Sequence, residues 1–359
     1  MTSINALGFD FKKSDTTALK ALAILFIVAH NYFHFLPPVT GENEMTFSPE
    51  HIQNVLMFIL ANPFDAFHPI VSFFGHYGVH IFIFLSGYGL TKKCLSLNLH
   101  SISELYTVSV QKIIQVIKLS FVGLLFLCAY RILVTQDPIT KDFFFQYLKF
   151  LTFSENLRPG KLYYFVSVWW FLALIVQFYL IFPWIYRFCL KASAQNFLLI
   201  CGLFVLLAAI LYQPMLESQL YVYATPLGQF AIFALGVYFA AGKTLPKYFW
   251  FGFLICLPLG FVYLPFFHLS FISVTILVLT AYKYFKKPSW AYSKALQFIG
   301  SISMYIYIVH GDMRWILLNW IETVQSSFLN YIVFSGYLLE VFVCAWLCAQ
   351  VVRRIPALR

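Results

Sequence analysis

Charge is scarce in this sequence. Only 11% of its 359 residues are Asp, Glu, Lys or Arg, against the roughly 25% usual in a soluble domain, while 61% are hydrophobic. A water-soluble globular fold is thereby excluded. No Gly-, Ser- or Pro-rich linker interrupts the chain, so 1–359 reads as one membrane domain. No CxxC spacing occurs, and Cys94, Cys128, Cys189, Cys201, Cys256, Cys344 and Cys348 all fall in or beside apolar runs rather than in outer loops. This excludes a disulfide framework and a thiolate metal site. The halves show no internal repeat, which argues against the transporters that are built from repeats.

What the sequence has in abundance is apolar runs of the length a bilayer demands, about 20 residues. They predict an all-α integral membrane protein with about ten transmembrane helices, near 17–37, 70–91, 113–134, 163–186, 196–213, 220–241, 248–265, 268–284, 297–311 and 330–351. An even number places both termini on one side. With the amino terminus in the cytoplasm, most of the 24 lysines and arginines fall inside, among them Lys12, Lys92, Lys93, Lys243, Lys283, Lys287, Arg353 and Arg359. Most acids, including Glu42, Glu44, Asp65, Asp137, Asp142, Glu155 and Glu322, fall outside. The formal charge of +10 is therefore an orientation signal, the first partner is the lipid bilayer, and no nucleic-acid partner is expected. The outer stretches 38–69 and 135–162 have room for short helices such as "FFFQYLKFLTF".

Polar side chains are costly within hydrocarbon and usually serve a site. The first run, "SDTTALKALAILFIVAHNYFHF", carries Lys20 toward its inner end and His30, Asn31 and His34 further out. At 1.5 Å per residue Lys20 and His30 stand about 15 Å apart, half the hydrocarbon thickness. His30 is then near mid-membrane. Asp15, about 22 Å away on the same rise, reads as a helix cap. An imidazole at that depth suits a general base, or equally a hydrogen bond to a neighbouring span. In "GHYGVHIFIFLSGYGLTKK", residues 75–93, His76 reads as an interfacial group and His80 as lying at the depth of His30. Gly75, Gly78, Ser86, Gly87 and Gly89 permit close helix approach, and Lys92 and Lys93 end the span. In "GSISMYIYIVHGDMR", Ser303, Tyr307 and His310 share one helix face.

Two other readings use the same histidines. A transporter relay would call for carboxylates in the spans, and Glu340 alone is a clear candidate. A metal site has His30/His34 and His76/His80 at i, i+4, but neither HExxH, an acidic partner nor cysteine accompanies them, so no metal is expected.

Together, "LKALAILFIVAHN", "GHYGVHIFIFLSGYGL", "VWWFLALIVQFYLIFP" and "IGSISMYIYIVH" resemble, in order, the signature stretches of the acyltransferase family 3 membrane proteins, over about 15–315. The resemblance implies an O-acyltransferase of the bacterial inner (plasma) membrane. Its acyl donor would be acetyl-CoA or another acyl-CoA reached from the cytoplasm, with no cofactor bound permanently, and its acceptor a cell-envelope glycan or lipid-linked sugar. Lys20 matches a basic position that is commonly arginine, and Lys112 another after the second span. His30 or Asn31 matches the family histidine. Nine residues separate Lys20 from His30 where ten is usual, so Asn31 holds the matching position. A shift of one residue turns a side chain by about 100°. His30 is the candidate base, since an amide cannot serve as one.

The remaining roles implied by the resemblance are a CoA-phosphate site at Lys20, Lys112 and Lys92 with Ser86 and Gly87 nearby, and a substrate cavity at His80, Trp170, Tyr179, Ser303 and Tyr307. His310 joins His30 and Asn31 in the catalytic group. Asn31, Tyr307 or an amide near Gly87 are candidate oxyanion donors, and transfer is either direct or through an acyl-enzyme.

Overall fold

The computed structural model describes residues 6–37, 41–136, 138–286, 289, 293–321 and 327–355; Asp137, Lys287, Glu322 and Arg359 lie outside them. The described residues form α1 (Lys13–Phe33), α2 (Pro49–Ala61), α3 (Phe67–Phe74), α4 (Gly78–Ser96), α5 (Ile102–Tyr130), α6 (Lys141–Phe150) and α7 (Trp170–Lys191). After these come α8 (Ala194–Glu217), α9 (Pro226–Ala240), α10 (Phe249–Val262), α11 (Leu264–Phe285), α12 (Lys294–Ser301), α13 (Ser303–Ile321) and α14 (Ser327–Arg354). Among the described residues strands are confined to the pair β1 (Ala6–Leu7) and β2 (Leu245–Pro246), antiparallel with Ala6 opposite Pro246.

A helix lies at each of the ten expected spans, but by length and apolar composition seven of the described segments are able to cross a membrane. These are Lys13–Phe33, Phe67–Ser96, Ile102–Thr135, Ser167–Lys191, Ala194–Glu217, Leu264–Phe285 and Phe328–Arg354. The α9 and α10 helices, 15 and 14 residues long, reach only about 22 Å at the helical rise, short of the ~30 Å core. Several boundaries move for local reasons. Ser101 and Glu104 form a capping box, so α5 starts well before residue 113. The ninth run is broken at Ile302, and Ser303, Tyr307 and His310 belong to α13, which continues to Ile321.

The second run is also irregular. It consists of α3, a 3-10 turn over Gly75–Tyr77, and α4. Backbone of this kind survives at membrane depth where protein encloses it. Here α1 does so: a Cβ on Gly75 would stand 2.6 Å from Phe26 O and from His30 Cβ. At the centre, α9 is buried along most of its length against α4, α7 and α8. A Cβ on its Gly236 would collide with the Phe84 carbonyl of α4, whereas Gly89, expected to pack in the same way, faces open space. The outward surface is apolar, with Leu199, Leu206 and Ile210 of α8 and Leu339 of α14 exposed, as a lipid-facing helix requires.

The loops sort to two ends. At one, Lys283 Nζ donates to Gly8 O at 3.1 Å, Lys92 pairs with Asp10 at 2.9 Å, and Lys286 pairs with Asp15 at 2.6 Å. Asp15 does cap α1, accepting from Lys12 N at 3.0 Å, and also ties α1 to α11 through Lys286 and Tyr282. At the other end, Phe47 N donates to Tyr212 OH at 2.8 Å and Tyr331 OH to Asp65.

Two predictions concern this scaffold. Gly89→Ala should leave the Tm of detergent-purified protein unchanged or raise it, since alanine is the better helix former, whereas Gly236→Ala should lower it; equal effects would refute the packing argument. Glu155, 2% exposed in the α6–α7 connection, has its carboxyl pushed up to about 7 by burial, against the opposing charge of Arg158. Because its folded value exceeds the unfolded one, ionisation costs stability progressively as pH rises through that range. Glu155→Gln should therefore raise Tm at pH 8 and not at pH 4.

Candidate active site

The four stretches singled out in the sequence converge. Ile27 of α1, Val79 and Phe82 of α4, Phe171 of α7, and Met304 and Tyr307 of α13 line one narrow apolar crevice that has no room for a water molecule. Ile27 lies one turn inward of His30 on α1, and Tyr307 three residues before His310 on α13. The crevice thus runs inward from the level of the two histidines.

His30 is buried, 5% exposed, and its Nδ1 stands 2.7 Å from the backbone carbonyl of Ser72. A carbonyl oxygen only accepts, so Nδ1 carries the proton and Nε2 the lone pair. Ser72 belongs to the last turn of α3, just before the 3-10 turn. The break in the second run therefore supplies the group that sets the tautomer of His30. His310 is held alike: its Nδ1 lies 2.8 Å from Tyr307 O on its own helix, and Nε2 is buried without a hydrogen-bond partner.

Asn31, one residue on, faces elsewhere. Its side-chain oxygen accepts from Arg314 Nη1 at 2.7 Å, and its amide nitrogen donates to Ile27 O at 3.0 Å. Arg314, 2% exposed, also donates to Ser167 Oγ at 3.2 Å and lies over the Phe35 ring at 4.3 Å. Its charge acts on His30, His34 and His310. Sequence reasoning passed over Arg314, although an arginine four residues after His310 on the same helix face was the available signal.

The second run adds two more imidazoles in a different order of depth from that expected. It is His76 that meets His30, with ring centroids 5.5 Å apart. His76 is buried at 1% exposure rather than interfacial, and neither ring nitrogen has a hydrogen-bond partner. His80 lies beyond it at 6.4 Å, stacked on Phe271, with the Gln229 amide nitrogen 3.3 Å from its Nε2. Outward of His30, the His34 ring stacks at 5.1 Å and Glu42 Oε2 comes within 3.1 Å of His34 Nδ1. Glu42 and Glu44 lie in the loop above, both carboxyls held above their ordinary range by burial, Glu44 also by the charge of Glu42. Loop residues of this kind carry no periodic signal.

The other expected residues divide. Tyr307 is buried beside the crevice with its hydroxyl donating to Val168 O, so that proton is committed. Ser303 and Trp170 are buried, and the indole that links α7 to α13 is that of Trp169, donating to Ile308 O at 3.2 Å. Tyr179 of α7 is partly buried and packs against the core. Gly87 lies within α4, where a Cβ would stand 2.5 Å from Phe233 O, so its role there is close packing. At the end of the molecule that holds the start of α1, Lys112 feels the charges of Lys93 and Lys20, while Lys92 is paired with Asp10.

Residues 15–350 match the profile of a family described as an acyltransferase domain. Comparison with curated proteins and with solved structures found no match. With nearly the whole chain inside that profile and its four signature stretches packed around one crevice, this multi-pass protein belongs to the acyltransferase family 3.

Proposed function

We propose that the protein is a membrane-embedded O-acyltransferase that moves an acyl group, acetyl in the simplest case, from acyl-CoA to a hydroxyl of a cell-envelope sugar or glycan. The observation that carries this reading is the bond from His30 Nδ1 to Ser72 O, which leaves the Nε2 lone pair about one helical turn from Ile27 of the crevice wall. In the bilayer α9, α10 and α13 complete ten crossings, with both termini in the cytoplasm of a bacterial inner membrane. The Lys20, Lys93 and Lys112 group then faces the cytoplasm and suits the phosphates of CoA. The pantetheine arm follows the apolar crevice, which opens as the helices part around it.

His30 Nε2 takes the proton of the acceptor hydroxyl as that oxygen attacks the thioester carbon. The C–S bond breaks, and the departing CoA sulfur receives the proton back from the imidazolium. Arg314 supplies fixed positive charge for the oxyanion formed between these steps, and Asn31 positions Arg314. On the outer side Glu42 and Glu44 present carboxylates, and Tyr163, within reach of their charges, an aromatic ring, the groups that engage sugar hydroxyls and sugar faces.

Two measurements test this. His30→Ala should lower acetyl transfer to envelope glycan in isolated membranes by about 10²- to 10⁴-fold at matched expression, as loss of a general base does; unchanged transfer would remove His30 from the mechanism. Lys20→Ala combined with Lys112→Ala should raise KM for acyl-CoA with a smaller change in kcat. Wild-type membranes that consume no acyl-CoA would refute the whole reading.

A further inference from the structure

The proposed base also belongs to a second constellation, whose geometry acyl transfer by itself does not account for. One ring nitrogen each from His30 and His34 and one carboxylate oxygen of Glu42 lie within 4.8 Å of one another. The acidic partner missing from the linear pattern is thus supplied by the loop. We propose that His30, His34 and Glu42 bind a divalent transition metal, with Zn²⁺ the best match, and that the bound ion withdraws the base from catalysis.

Three observations converge on this set. His34 Nδ1 and Glu42 Oε2 face each other at 3.1 Å, yet His34 Nδ1 is buried and makes no hydrogen bond. Two electron-pair donors so placed suit a cation between them. Ligands about 2.0–2.2 Å from zinc at tetrahedral angles stand roughly 3.3 Å apart, close to that spacing. Next, His30 donates Nδ1–H to a backbone carbonyl at 2.7 Å, the arrangement usual for a metal-ligating histidine, which orients the ring and leaves Nε2 to coordinate. Lastly, two imidazoles and a carboxylate are a borderline donor set that favours zinc over magnesium or calcium. Closing the remaining separations from at most 4.8 Å to that spacing requires side-chain movement of up to about 1.5 Å, which the Glu42 loop and the His34 position at the end of α1 allow.

The consequence for catalysis rests on the acyltransferase reading. The lone pair that accepts the hydroxyl proton is the one that would bind zinc, so metal and acceptor compete for one nitrogen. Zinc would then act as a brake read from the outer side. Metal binding itself requires no acyl transfer and is tested apart from it.

The full-length protein, purified in detergent and stripped with chelator, would be loaded with Zn²⁺, passed over a desalting column and analysed for metal. One zinc per chain is expected, and Co²⁺ in its place should give visible d–d absorption. Glu42→Gln, a loop change that spares the helices, and His34→Ala should each weaken zinc binding at least tenfold, while His100→Ala at the opposite end should not. Zinc retention equal in wild type, Glu42→Gln and His34→Ala would overturn the site. In the second arm Zn²⁺ should inhibit transfer competitively with the acceptor, with a Ki at least tenfold higher in Glu42→Gln whatever its basal rate. Stoichiometric zinc without inhibition would overturn the brake. A chain that binds zinc and transfers no acyl group would sink the proposed function and leave the metal site standing.

Discussion

The hydrogen bond between His30 and the Ser72 carbonyl is the contact on which the rest of the site depends. A helix that stops within the hydrocarbon leaves carbonyls without partners, and nothing in lipid can satisfy them. Where the second run turns between α3 and α4, an imidazole of α1 takes the Ser72 carbonyl at 2.7 Å. The same bond that ties α1 to the second run chooses the tautomer of His30. Structural need and chemical need are met by one proton.

That bond constrains its surroundings. For His30 to reach Ser72, α1 and the second run must approach closely, and Gly75 removes the side chain that would hold them apart. With α1 so oriented, Asn31 turns toward α13 and meets Arg314. The family spacing would have placed a histidine where Asn31 stands. In this chain the amide at that position holds the guanidinium, and the imidazole one residue earlier reaches Ser72. The one-residue departure thus places the imidazole and the amide that holds the guanidinium on two faces of the same helix.

The interior polar groups also explain why α9 is short and buried. Its Gln229 reaches His80, and its Gly236 lets α4 lie against its backbone, so it fills the space behind the histidines rather than meeting lipid. α8, by contrast, presents leucine and isoleucine outward. Two strongly apolar helices thus take opposite positions.

The sequence by itself determined that the chain is a helical membrane protein, where its apolar runs lie, and which four stretches carry its family character. Those properties depend on composition and on order along the chain, which hydrocarbon thickness and helical rise convert directly into length. It also indicated His30 over Asn31, because only one of the two is a base. Tertiary structure decided the rest. That His76 and not His80 meets His30 follows from the 3-10 turn at Gly75–Tyr77, which no hydropathy period reveals. That Glu42 stands over His34 follows from how an aperiodic loop folds back. That Gly89 is idle while Gly236 is essential to packing depends on which face of each helix meets a neighbour, and a sequence hydrophobic on all sides does not mark that face.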